Sequence, residues 1–255
     1  MHNTTSTHCL PECLPAADDP MVEPGRRRFF GRAMSAAGLL ALGAAQTACG
    51  GASAAPAPSP SGEPAWGGPI DPAKTAVLVM HYQSDILSFF SQAAPTLLAN
   101  TRALLDAARA RGTSVFFIRI AFSPSYLEVS PRNKNGSFLA STGAFLNNDI
   151  PAELARTAAE PVLVAKRVSV FFGTDLESRL SAKGIDTVVL AGIASTGVVL
   201  STIAYASDAD YRIYTVKDCC FDPDPVVHDH LFETAFESRS VVMSLAQATS
   251  ALGGG

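Results

Sequence analysis

From Thr75 onward the chain alternates short apolar runs with stretches of helical period, and this alternation restricts the fold more than any other feature of the sequence. Thr75–Met80, Thr113–Ile118, Val162–Ala165, Thr187–Ala191, Arg212–Val216 and Ser240–Met243 read as six strands, the first apolar throughout, as a strand covered on both faces requires. Ala93–Arg111, Thr174–Lys183, Thr196–Asp208 and Pro225–Phe236 read as helices, with Gly112 and Gly184 as stop signals behind the first two. The pattern predicts an α/β fold: a three-layer, doubly wound, mostly parallel six-stranded sheet. Ligands of such sheets bind outside the carboxyl ends of the strands, which directs attention to the residues after Met80, Ile118, Ala165 and Ala191. The span Ala121–Pro151 breaks the rhythm with the turn-forming stretches Ser130–Asn133 and Asn135-Gly136, and a long irregular segment inside a compact domain predicts a cover over a site.

The first part of the chain reads as an address. Gly25-Arg26-Arg27-Arg28-Phe29-Phe30-Gly31 precedes a weakly apolar, uncharged stretch from Ala33 to Ala48, and together they look like a twin-arginine (Tat) export signal. The stretch is too short and too rich in Ala and Gly for a membrane span, which needs about 20 predominantly apolar residues. Ala52-Ser53-Ala54 fits a small-x-small cleavage site. Thr47-Ala48-Cys49 resembles the end of a lipoprotein signal, but Gln46 stands where such signals carry an aliphatic residue, so cleavage is preferred to lipid anchoring at Cys49. The expected organisation is a signal over 1–54, a Pro/Ala/Gly-rich linker over 55–69, one folded domain over 70–247 and a flexible tail over 248–255. Recognition by the export machinery and a final location outside the cell or in its envelope follow from that reading.

Net charge is −4, and no basic face is evident, so nucleic acid is not an expected partner. Three of the five cysteines precede Ala54, and the remaining neighbours Cys219 and Cys220 make no disulfide framework; a vicinal disulfide is the alternative to two small buried residues after a strand. His81, His228 and His230 form no ligand-spaced cluster with cysteine, so neither a metal nor another cofactor is expected. His228 and His230 lie two apart at the start of a helix, where they share no face, and are read as solvent or loop residues.

The strand ends carry the chemistry. After the first strand comes His81-Tyr82-Gln83-Ser84-Asp85-Ile86, after the third Lys166-Arg167-Val168-Ser169-Val170-Phe171-Phe172-Gly173-Thr174-Asp175-Leu176, and after the fourth Gly192-Ile193-Ala194-Ser195-Thr196-Gly197-Val198-Val199. In order and spacing, from about Lys74 to the last strand and including Asp218, these segments resemble the isochorismatase-like (cysteine hydrolase) superfamily, whose fold is Rossmann-like. The resemblance implies a catalytic Asp after the first strand, a Lys after the third and a Cys at the start of the helix after the fourth. On this chain the Lys falls on Lys166, the Asp on His81 and the Cys on Val198, so the chain looks like a branch lacking both the Asp and the nucleophile. The family also implies a cis peptide near Ile193-Ala194, and members are often oligomers; a homo-oligomer is left open here.

Two functions from different classes follow. The first is an exported small-molecule hydrolase without a cysteine nucleophile, in which His81 moves a proton, Lys166 stabilises negative charge, and the N–H groups of Gly197 and Val198 form an anion hole. The alternative is a catalytically inactive protein that binds a small molecule on the same fold. Asp85, Phe122, Tyr126, Arg132, Phe172, Ser195 and Thr196 are further pocket candidates; Ser195 and Thr196 are more simply helix caps. Phe89, Phe90, Phe138 and Phe145 are read as core or as an oligomer contact. Arg119 and Arg132 could pair with a carboxylate or with Glu128, surface pairing being the commoner case.

Overall fold

The computed structural model describes residues 67–146 and 148–253. The export signal, its cleavage and lipidation alternatives and almost all of the linker lie outside the described residues.

Six strands form one sheet in the order β3-β2-β1-β4-β5-β6, with every neighbouring pair parallel. They are β1 (Thr75–Met80), β2 (Ser114–Ile120), β3 (Val162–Ala165), β4 (Thr187–Ile193), β5 (Arg212–Phe221) and β6 (Val241–Met243). The helices are α1 (Ser84–Phe89), α2 (Ala94–Ala110), α3 (Lys134–Thr142), α4 (Leu176–Ala182), α5 (Leu200–Asp208), α6 (Pro225–Leu231) and α7 (Leu245–Gly253). The expected α/β architecture is what the chain adopts. Parallel strands need covering on both faces, and successive side chains of β1 serve opposite layers: Val77 and Val79 pack with α2 and α7, while Ala76, Leu78 and Met80 pack with α4, α5 and the segment around Phe232 and Phe236.

Several boundaries differ from the sequence reading, each for a local reason. β5 runs on to Phe221, so Cys219 and Cys220 lie within the strand; they are free, buried thiols, pushed up by burial, Cys219 to about 12. The covering span contains a helix, α3, where turns were expected. The Asn133 side chain accepts the Gly136 N–H at 2.9 Å as an N-cap, and Gly143 closes the helix in the left-handed conformation. Residues 248–253, expected as tail, belong to α7, where Ala248 and Leu252 are buried. A wider π-type turn over Ser195–Val199 joins β4 to α5, and another over Phe232–Phe236 follows α6.

Candidate active site

The chain runs outward from β1 through β2 to β3, then returns to place β4 on the other side of β1 and continues to β6. Connections therefore leave β1 and β4 in opposite directions, and a crevice opens at their carboxyl ends, where Met80 stands opposite Gly192. A cavity of about 650 Å³ occupies this place. His81 from the end of β1, Ile193 and Ala194 from the end of β4, and Gly197 and Val198 from the following turn form its floor. Ile86, Phe89 and Phe90 of the α1 region, Asn135, Phe138, Leu139 and Thr142 of α3, and Phe145 surround it. The four phenylalanines read as core or oligomer contact thus line the cavity, with Phe89 and Phe138 two-thirds exposed.

His81 is held in an uncommon way. Its backbone is left-handed, with φ 62°, and its N–H donates to Ile118 O at 2.8 Å, tying the end of β1 to β2. The side chain is buried, and Nε2 has no hydrogen-bond partner. Burial pulls the imidazole pKa down to about 3, so His81 is neutral throughout the physiological range.

Lys166 does not join it. The ammonium reaches across the end of β2 to donate to Ala121 O at 2.7 Å and pairs with Glu128 Oε1 at 3.0 Å. Glu128 also accepts from Ser123 N–H and Oγ, and the Lys166 and Ser123 hydrogen bonds pull its carboxyl down to about 2. The partner of Glu128 is thus Lys166 rather than Arg119, whose guanidinium donates to Asn148 O, or Arg132, which is exposed.

The turn after β4 is dense with polar ties. The Ile193–Ala194 peptide is cis. Gly192 lets the turn close on β1, since a Cβ there would lie 2.8 Å from Val199 Cγ2 and 3.0 Å from Met80 Cε. The Thr196 N–H and hydroxyl both donate to Asp222 Oδ2, at 2.8 and 2.6 Å, and the Gly197 N–H donates to Ala194 O. Of the two donors expected for an anion hole, that of Gly197 is therefore engaged, and a carboxylate already caps the turn. Ser195 Oγ lies 2.9 Å from His228 Nδ1, an imidazole held below its ordinary pKa first by burial and then by the Lys217 ammonium. Ser195 is fully buried and is not among the residues lining the cavity, so this pair ties β4 to α6. It was invisible in the sequence because the partners are 33 residues apart.

The other candidates stand around the site. Phe122 is buried in the core against Tyr126, whose hydroxyl donates to Ala144 O; Asp85 lies in the first turn of α1, and Phe172 is exposed on the loop before α4. Among the described residues no group of three His, Cys, Asp or Glu side chains is placed to hold a metal ion.

Residues 75–247 match the family model of the isochorismatase domain. The chain belongs to the isochorismatase family. Among curated relatives of this isochorismatase-family chain, the uncharacterized family protein YecD of Escherichia coli is 27% identical over 180 residues, 70% of this chain and 96% of its own length. A ureidoacrylate amidohydrolase of Yersinia enterocolitica is 28% identical over 157 residues, 55% of this chain and 68% of its own. The crystal structure of a cysteine hydrolase from Pseudomonas syringae shares the isochorismatase-family fold with a TM-score of 0.67 at 19% identity, covering 73% of this chain and 95% of that one.

Proposed function

We propose that this chain hydrolyses a small amide or ester with water activated at His81 and without a covalent enzyme intermediate. One observation carries the reading: His81, a residue lining the cavity at the switch point of the sheet, has a buried, neutral imidazole whose Nε2 has no partner. The Nε2 lone pair takes a proton from water only as the hydroxide adds to the carbonyl carbon, and passes it on in the same step to the departing nitrogen or oxygen, so that the imidazolium that burial disfavours does not accumulate. The same neutrality argues against vinyl-ether hydrolysis, which begins with a proton given to an alkene carbon; with a pKa near 3, His81 holds almost none to give at neutral pH. Lys166 acts from beside the cavity, fastening the covering segment through Glu128 and Ala121. The amidohydrolase named among the relatives supports the reaction class. Export through the twin-arginine pathway is part of the proposal, on the strength of Arg26-Arg27-Arg28-Phe29-Phe30.

A binding protein without turnover is the second reading. It is favoured by the engagement of the Lys166 ammonium and the Gly197 N–H, the groups that would otherwise meet a developing oxyanion. The two separate in one assay of the full-length protein against amides, esters and isochorismate, beside His81→Asn and Lys166→Met. Asn is chosen because it tolerates the left-handed backbone at this position. Hydrolysis predicts amide or ester turnover that His81→Asn lowers by about 10²-fold or more, and no turnover of isochorismate. Silence across the panel, with a compound raising the melting temperature of the wild type but not of His81→Asn, would establish the binding reading.

A further inference from the structure

We infer that Glu128 sets the charge selectivity of the cavity: by holding Lys166 in an internal ion pair it leaves the cavity to neutral, largely apolar molecules and excludes carboxylates. The inference rests on the cavity being the ligand site, as proposed above, and not on hydrolysis taking place there.

Lys166 is not itself a lining residue but is tied to neighbours of residues that are. The carbonyl that accepts its ammonium belongs to Ala121, next to the cavity-lining Ile120, and Val168, two residues along its own chain, lines the cavity too. A free ammonium at this place would meet an anionic ligand. Glu128 meets it instead, with Lys166 Nζ at 3.0 Å, Ser123 N at 3.1 Å and Ser123 Oγ at 2.8 Å converging on one carboxylate. Arg167 fastens the two backbones, donating to Lys166 O at 2.6 Å and to Glu128 O at 3.0 Å. A ligand carboxylate would have to displace an internal one already bound by three donors.

The cavity itself offers an anion nothing in exchange. Among the described residues that line it there is no Asp, Glu, Lys or Arg, and its polar side chains are His81, Asn135 and Thr142. An ionised group brought against such walls loses hydration without a counter-charge, whereas a neutral ring carrying a carbonyl or amide loses little and finds aromatic faces and an imidazole. About 650 Å³ is within the range of sites for small molecules.

Benzamide and benzoate have nearly the same shape and differ in charge, so their affinities for the full-length protein, measured by calorimetry at neutral pH and low salt, test the inference directly. The wild type should bind benzamide about tenfold or more tightly than benzoate. Glu128→Gln should erase or reverse that preference by uncovering Lys166, and adding Lys166→Met to it should bring the preference back. Equal affinities or a preference for benzoate in the wild type, an unchanged preference in Glu128→Gln, or binding of neither probe would each overturn it. If Glu128→Gln does not fold, Lys166→Met alone decides. Its preference for benzamide over benzoate should be at least as large as that of the wild type, and a preference reduced by more than about threefold would refute a cation already neutralised. Discrimination without turnover of any amide or ester would remove hydrolysis and leave this inference standing; equal turnover of anionic and neutral substrates would do the reverse.

Discussion

His81 is an imidazole that the fold has taken out of water and given no counter-charge. Its pKa is about 3 in the folded chain against about 6.5 unfolded, so between those values the unfolded chain binds a proton that the folded chain does not. The contribution is fully present above pH 6.5 and is lost as pH falls toward 3, at about 1.4 kcal/mol per pH unit. Urea unfolding at pH 7 and pH 5 should therefore show the wild type losing about 2 kcal/mol more than His81→Asn, and equal losses would show that the site is wetter than its burial implies. The position of His81 at a strand end was legible in the sequence because β1 is apolar from end to end. Its burial was not, since the Ile118 carbonyl that fixes its backbone and the rings that cover it come from other elements.

At the scale of elements, the covering span is joined to the sheet by a few buried polar side chains. Gln83, fully buried between β1 and α1, donates from Nε2 to Ile120 O at 2.6 Å and to Asn148 Oδ1 at 2.8 Å, and its Oε1 accepts the Ile120 N–H at 3.0 Å. Gln83→Ala should cost about 1–3 kcal/mol for each buried group it leaves unpaired, and the amides around Asn148 should exchange with solvent faster. A stability change under about 0.5 kcal/mol would mean that water replaces the side chain. Helix α3 forms in this span against its local preferences. Asn and Gly are poor helix formers, but Asn133 serves as the cap, and Gly136 is enclosed where a Cβ would lie 3.2 Å from Val129 Cγ1. Local preference was overruled by contacts that the helix makes with its own loop.

For the whole molecule, the layer that holds α2 is completed by α7. α7 lies against α2 and β5, burying Ala248 and Leu252, and Arg111 donates to Gly253 O at 3.0 Å. Leu252→Ala should lower the unfolding free energy by about 2–5 kcal/mol, readable in urea titration; no change would show that α7 can leave the domain without loss. The sequence alone determined the six strands, the helices α2, α4, α5 and α6 between them, the parallel α/β class and the segments that end at the site, because strand and helix periods are carried by near neighbours along the chain. Tertiary structure alone decided that Lys166 answers to Glu128, that Ser195 meets His228, and that four scattered phenylalanines enclose one cavity. Those pairings join residues from separate elements, and which side chain satisfies a charge or a buried polar group depends on what the folded sheet brings within about 3 Å of it.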